Sequence, residues 1–290
     1  MNLKENSISS KILTGKNVLL RVDFNVPLKG SELLDDEKLV RALPTIKYIL
    51  KEAKSLKILT HLGRPEETNL IQDRFSLKPV ANRLSELLGE EVGLAASLKD
   101  LESQVGIVML ENIRFFKGEK NNDKALSKAL SDLADIFVMD AFGTSHRKQA
   151  STYGITEFIN EACVGLLVEE ELSALEKIVS SPNKPLLGII GGSKISTKMK
   201  VIDSLTKHVD YLIIGGALAN TCFKALDKNI GKSLYEEEFV PLAKKIVNHP
   251  KIVLPEYVMV SKGLDSEPLE KNINDLDDDD IIYDVGNESV

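Results

Sequence analysis

The chain has 290 residues, 43% hydrophobic and 28% charged, and 37 Lys and Arg against 44 Asp and Glu leave a net charge of −7. That composition excludes a mainly disordered, collagen-like or coiled-coil state, and the length suits one large core or two smaller ones, at roughly 100 to 200 residues per domain. The acidic balance argues against nucleic acid as the main partner, because a duplex binder normally presents a basic face.

No apolar run approaches the roughly 18 to 20 residues needed to cross a bilayer, so no membrane partner is expected. The start, MNLKENSISSKIL, lacks the basic-then-apolar order of a secretory signal. Cys163 and Cys222 have neither zinc nor disulfide spacing, which suits buried thiols in a reducing cytoplasm. A monomer is expected.

Short β-branched runs alternate with amphipathic stretches along the chain, the pattern of parallel α/β sheets. Strands are predicted at 17–24, 56–62, 106–112 and 136–142, then at 186–192, 210–216, 251–256 and 256–260. Their near-continuous apolar character fits strands covered on both faces. Helices are predicted at 38–54, 77–89, 121–134, 197–209, 217–227 and 236–248, where Leu, Ile and Ala return every three or four residues. The stretch 163–181 reads as one helix broken by 182-PNKP-185. The fold class is therefore α/β, with two doubly wound parallel-sheet domains: residues 1–160, a linking helix within 161–184, and 185–290. The last domain stops just after an apparent strand and glycine turn at 284-DVG-286 and reads as incomplete.

Ligands of open parallel sheets bind beyond the carboxyl ends of the strands. In the first half those ends carry Asp23 and Asn25, then His61, Gly63 and Arg64, then Asn112 and Arg114, then Asp140 with His146 and Arg147. A lone strand-end arginine is more often a surface ion pair. Three arginines and a histidine in register, within an acidic chain, point to a pocket for a small polyanion gripped by guanidinium forks. In the second half, 191-GGSKISTK-198 lies between a strand and a helix. It exposes backbone amides, and Lys194 and Lys198 add point charges suited to phosphate. It has neither P-loop nor GxGxxG spacing, so nucleotide binding and a plain strand-to-helix turn stand level. Gly215 and Gly216 likewise fit either an approaching adenine ring or close helix packing. His208 and His249 read as solvated or capping residues. The aspartates at 277–280 read as a solvated acidic loop and not as a calcium site, and no residue is assigned as a metal ligand.

The segments 21-RVDFNVP-27, 43-LPTI-46, 60-THLGRP-65, 111-ENIRFFKGEK-120, 139-MDAFGTSHR-147, 191-GGSKISTK-198 and 231-GKSLYEEE-238 together resemble phosphoglycerate kinase, in order, over essentially the whole chain. The resemblance implies reversible phosphoryl transfer from 1,3-bisphosphoglycerate to ADP, giving 3-phosphoglycerate and ATP in glycolysis, with Mg2+ carried by the nucleotide. It implies that Asp23, Phe24, Asn25, Lys38, His61, Leu62, Gly63, Arg64, Arg114 and Arg147 hold the phosphoglycerate. Gly191, Gly192, Lys194, Lys198, Gly215 and Gly216 belong to the ADP/ATP side. Lys38, Arg147 and Lys198 are the implied catalytic residues, and the helix linking the domains is expected to permit their closure.

Two positions depart from the family pattern. Lys38 stands where the pattern carries an arginine, and a lysine supplies charge without the planar fork; Arg41, one helical turn on, is the alternative donor. The family also continues for roughly another hundred residues through WNGP and GGGD segments, including an aspartate associated with the magnesium nucleotide, and those segments are absent from the 290 residues. The expectation is a stable first domain and a loosened second one, with weak ADP binding and no measurable transfer. The alternative function is an inactive, truncated paralogue or fragment that binds phosphoglycerate or another partner.

Overall fold

The computed structural model describes residues 4–30, 32–180, 183–263 and 266–289. Two compact units divide the chain, Met1–Glu176 and Lys177–Val290.

The first unit runs β1 (Asn17–Val22), a hairpin of β2 (Leu28–Lys29) and β3 (Glu32–Leu33), α1 (Glu37–Leu50), β4 (Ser55–Leu59), α2 (Lys78–Leu88), β5 (Val92–Ala95), α3 (Leu98–Ser103), β6 (Ile107–Leu110), α4 (Lys124–Ser131), β7 (Ile136–Asp140) and β8 (Glu161–Val164); α5 (Leu166–Ser180) runs across the division. Its main sheet is six-stranded and parallel, in the order β5-β6-β4-β1-β7-β8. The two-residue period of a strand sends alternate side chains to opposite faces. Val18, Leu20 and Val22 of β1 enter one core with Leu39, Ile46 and Leu84 from α1 and α2. Leu19 enters the other with Leu101 of α3 and Leu126 and Leu130 of α4. Double cover explains why β1, β4, β6 and β7 read as apolar runs.

The second unit contains β9 (Leu187–Ile190), α6 (Met199–His208), β10 (Tyr211–Ile214), α7 (Ala217–Ala225), α8 (Val240–Val247), β11 (Ile252–Val253), β12 (Tyr257–Ser261), β13 (Leu269–Asn272) and β14 (Ile281–Val285). A three-stranded parallel sheet has the order β11-β10-β9. Ile190, Leu212 and Ile214 pack into a core with Ile202 of α6 and Leu218 and Cys222 of α7.

Two expectations are corrected. Residues 161–164 are not the start of a linking helix: they form β8, parallel to β7, and bury Cys163 in the first core. The run 256–260 does not extend the parallel sheet; β12 is the centre of an antiparallel sheet ordered β13-β12-β14. The short strand β5 and helix α3 were unforeseen. Ser181 and Pro182, part of the expected helix break, lie outside the described residues.

Candidate active site

β1 delivers Asp23, Phe24 and Asn25 to its carboxyl end. Asp23 Oδ1 accepts the Asn25 backbone N–H at 3.1 Å, and Oδ2 accepts from Lys38 Nζ at 3.0 Å. Burial works to raise the Asp23 pKa, but the hydrogen bonds from Lys38 and Asn25 prevail and hold it below the usual carboxylate range. Phe24 is fully buried and its backbone N–H donates to Thr60 Oγ1 at 2.8 Å, so it shapes the loop from within the core. Asn25 Oδ1 accepts the Gly63 N–H at 2.8 Å and ties this loop to the one after β4.

Beyond β4, Leu62 is held through both backbone groups by Asn112, with N–H to Oδ1 at 3.2 Å and Nδ2–H to the Leu62 carbonyl at 2.7 Å. Asn112 is therefore a buried brace. Gly63 has φ +60°, and a Cβ there would lie 2.5 Å from the Phe75 ring, so a larger residue is both strained and obstructed. Its carbonyl accepts from Arg114, a buried residue in the short turn Ile113–Phe115 after β6.

Arg114 shows how the cations converge. Burial lowers its pKa most; Arg147 then lowers it further, Glu119 opposes, and Arg64 again lowers it. Arg64 and Arg147 themselves are exposed. Two exposed guanidiniums around a buried third, beside Asp23, gather positive charge suited to a small polyanion.

His61 differs from its reading as a fourth cation. It is buried, and burial, followed by Arg21 and Arg114, pushes its pKa down to about 3. The imidazole is neutral near pH 7. Arg41 does not join Asp23 either: it pairs with Glu170 and Glu171 of α5 at 3.9 and 3.5 Å. Asp140 is also diverted, since its buried Oδ1 accepts the Val168 N–H at 3.1 Å near the start of α5.

In the second unit, β9 ends at Ile190 and the turn 191–198 leads to Lys198, which precedes α6. Leu218 N–H donates to the Gly192 carbonyl at 3.0 Å, and a Cβ on Gly216, whose φ is +63°, would meet that same oxygen at 3.0 Å. Gly216 is thus required for close packing of two backbones. Gly215 donates its N–H to the Ile190 carbonyl at 2.9 Å, while Gly191 and Lys194 are exposed. Ser196 donates its backbone N–H and Oγ–H to Glu236 at 2.9 and 2.7 Å, pinning the middle of the turn. These hydrogen bonds, the backbone one first, hold the Glu236 carboxyl below its ordinary range despite some burial. The turn therefore presents backbone and lysines, with its neighbouring carboxylate already engaged.

The acidic stretch is more ordered than a solvated loop. Asp280 is buried, one ligand oxygen each from Asp277, Asp279 and Asp280 falls within 4.8 Å of the others, and Lys271 bonds Asp277 and Asp280 at 2.9 and 2.8 Å. Lys262 pairs with Asp279 at 3.1 Å. Lysine ammoniums supply the positive charge there. His208 ends α6 and His249 follows α8, where its Nδ1 accepts the Lys251 N–H at 3.3 Å. Cys163 and Cys222 are both buried free thiols, pushed up to about 12 by burial.

Comparison with known proteins decides the family. The family model for phosphoglycerate kinase matches residues 8–290. The chain belongs to the phosphoglycerate kinase family. It is 45% identical over 281 residues to the phosphoglycerate kinase of Vibrio campbellii, covering 96% of this chain and 72% of that one. Identity to the Francisella philomiragia phosphoglycerate kinase is also 45%, over 286 residues, 96% of this chain and 73% of the relative. The solved phosphoglycerate kinase of Coxiella burnetii superposes with a TM-score of 0.85 at 41% identity, covering 97% of this chain and 74% of that one. That of Pyrococcus horikoshii gives 0.82 at 26%, covering 98% and 76%. The function is that of a glycolytic phosphotransferase, transferring phosphoryl groups between 1,3-bisphosphoglycerate and ADP, and the inactive-paralogue alternative is not favoured. No helix among the described residues is long and apolar enough to cross a membrane.

Proposed function

We propose that the arginine-bearing face of the first unit binds 3-phosphoglycerate and 1,3-bisphosphoglycerate, and that the glycine-rich turn of the second binds the magnesium complex of ADP or ATP. The observation that carries the first assignment is the gathering of Arg64, Arg114 and Arg147 at the strand ends near a hydrogen-bonded Asp23, close enough that Arg64 and Arg147 both act on Arg114. Asp23 and Asn25 orient the hydroxy-acid end, and the guanidiniums hold phosphate or carboxylate oxygens bidentately. Arg147, which is exposed, and Lys38, whose side chain is half-exposed and whose ammonium bonds Asp23, are the charges offered to the transferring group.

On the nucleotide side, Lys194 and Lys198 flank the turn and the backbone at Gly191, Gly192 and Gly215 gives a phosphate chain close approach. Glu236 is committed to Ser196 and is not offered to a metal ion; magnesium bound with the nucleotide would neutralise part of its phosphate charge beside Lys194 and Lys198. Phosphoryl transfer asks the protein for in-line positioning and for cations aimed at spreading charge, with little covalent work. Lys38, Arg147 and Lys198 are our catalytic assignments. We further assign the protein to the cytoplasm as a monomer, for which two buried free thiols and a net charge of −7 are the support.

Calorimetry tests the substrate assignment. Arg147→Ala is expected to weaken 3-phosphoglycerate by about 2 to 5 kcal/mol if the bound contact is desolvated. A loss below about 1 kcal/mol is the signature of a surface charge and removes Arg147 from the site.

A further inference from the structure

Behind the arginine face lies a buried polar chain that none of the assigned site residues explains. Arg21 projects from β1 on the face shared with Leu19, and its side chain is 1% exposed. A buried guanidinium is costly unless its donors are engaged. Here Nε donates to Ser151 Oγ at 3.0 Å, one terminal nitrogen donates to the Val22 carbonyl, and the other lies 3.4 Å from His61 Nδ1. Ser151 in turn donates its Oγ–H to Glu119 Oε1 at 2.6 Å and its backbone N–H to Glu119 Oε2 at 2.9 Å. Glu119 is 0% exposed.

The hydrogen bonds among Arg21, Ser151 and Glu119 have fixed directions, and the Arg21–His61 contact is a hydrogen bond for only one imidazole tautomer. A guanidinium has no acceptor, so Ser151 Oγ accepts from Arg21 and spends its single proton on Glu119. By the same rule, Nδ1 of His61 must accept. In a neutral imidazole the proton then sits on Nε2. A proton on Nδ1 alone would set two donors against each other, and a proton on both ring nitrogens would in addition place a charge beside Arg21, Arg114 and Arg147. Asp23 is the opposing group, but its Oδ1 lies 4.0 Å from Nδ1, beyond hydrogen-bond reach, and its two oxygens already accept from Asn25 and Lys38.

We propose that Glu119 and Ser151 are positioning residues that act through Arg21 to hold His61 as a neutral Nε2–H donor, so that His61 recognises phosphoglycerate by a directed hydrogen bond while the arginines supply the charge. The inference rests on reading the arginine face as the phosphoglycerate site. It gives the strand-buried Arg21 a purpose: its charge is balanced by Glu119 behind it, and its free donor sets the imidazole in front.

The chain has four histidines, so long-range 1H–15N correlation of the labelled protein resolves the imidazoles, with His61→Gln identifying one of them. The expected His61 signal in ligand-free protein has a pyridine-type Nδ1 and a pyrrole-type Nε2 and does not titrate between about pH 5 and 8, where an ordinary histidine does. Ser151→Ala is expected to mix the tautomers or bring His61 into that range and to raise KM for 3-phosphoglycerate about 2- to 10-fold, the worth of one hydrogen bond, with kcat changed less. Ser151→Thr, which keeps the hydroxyl, is expected to restore both. A His61 carrying its proton on Nδ1, or one that titrates in the wild type, overturns the proposal even if Ser151→Ala does not fold. An unchanged His61 signal in a folded Ser151→Ala overturns it as well. If the tautomer is as expected but 3-phosphoglycerate leaves the Nε2–H unmoved, the relay stands and the site assignment fails.

Discussion

In the first unit, β1 sits in the middle of six parallel strands, with Leu20 buried in one core and Leu19 in the other. In the second, β9 to β11 form three strands, and register places Leu187, Ile189, Tyr211 and Val253 on one face, where they are 50%, 73%, 52% and 40% exposed. The difference matters for how each surface meets an anion. A sheet covered on both sides can bury Arg21 and Glu119 and set the site's donors rigidly from behind. Among the described residues the face of the second sheet that carries Leu187, Ile189, Tyr211 and Val253 has no such second layer, and the candidate site there is made of turn backbone, with Gly192 against Gly216 and Ser196 pinned to Glu236.

The largest expected effect tests that contrast in stability. Leu20→Ala removes a fully buried side chain and is expected to cost about 2 to 5 kcal/mol in chemical denaturation, whereas Ile189→Ala is expected to stay within about 0.5 kcal/mol. Equal losses would show that the face carrying Ile189 is covered in solution, and the comparison would break there.

Gly216→Ala should come next. Its Cβ would stand 3.0 Å from the Gly192 carbonyl oxygen at a positive φ, so about 1 to 3 kcal/mol of strain is expected. Hydrogen exchange should accelerate within Lys177–Val290, and nucleotide affinity should fall while 3-phosphoglycerate affinity holds. Acceleration across both units instead would mean that they unfold as one.

Acid should act on the first unit's site. His61 drops from 6.5 to about 3 through burial and then its arginine neighbours, so between those values the unfolded chain binds the additional proton. Its contribution to stability is complete above pH 6.5 and is lost as pH falls toward about 3. Asp23, also depressed, adds a contribution present above its ordinary 3.8 and lost as pH falls through its lower folded value. The expected profile rises from acid to neutral, and His61→Gln should flatten its upper part; an unchanged slope in that variant would place the titration elsewhere.

How far the sequence was legible follows the same division. Strands covered on both faces, such as β1 and β7, are visible because nearly every residue is apolar. The four-residue outer strands β5, with a glycine, and β8, entered through a glutamate, carry too little pattern to register. β12 was visible as a strand, but local alternation does not say which partner it takes, and it pairs antiparallel with β13 and β14. At the site, the exposed arginines followed from their positions after strands. The buried layer did not, although Arg21 left a signal: a charge within an otherwise apolar, doubly covered strand requires a buried partner. Glu119 and Ser151, which answer that requirement, lie 98 and 130 positions further along the chain.

The smallest expected effect concerns Lys38, whose position the family resemblance gives to arginine. Lys38 Nζ is anchored 3.0 Å from Asp23 Oδ2, yet the side chain is 47% exposed, so the pair itself is worth at most about 1 kcal/mol. Lys38→Arg should therefore change stability by less than about 0.5 kcal/mol. Its effect belongs to the reaction. A guanidinium keeps the bond to Asp23 with one nitrogen and offers another to the transferring phosphoryl oxygens, which a single ammonium serves less well. In a version extended to the family's length, turnover in a coupled ATP-forming assay is expected to rise a few-fold with KM for the phosphoglycerate unchanged, as for a group that acts on the transition state. A fall in KM with constant turnover would make Lys38 a ground-state binding residue. No change in either would mean that the preformed Lys38–Asp23 pair already presents all the charge the phosphoryl group uses.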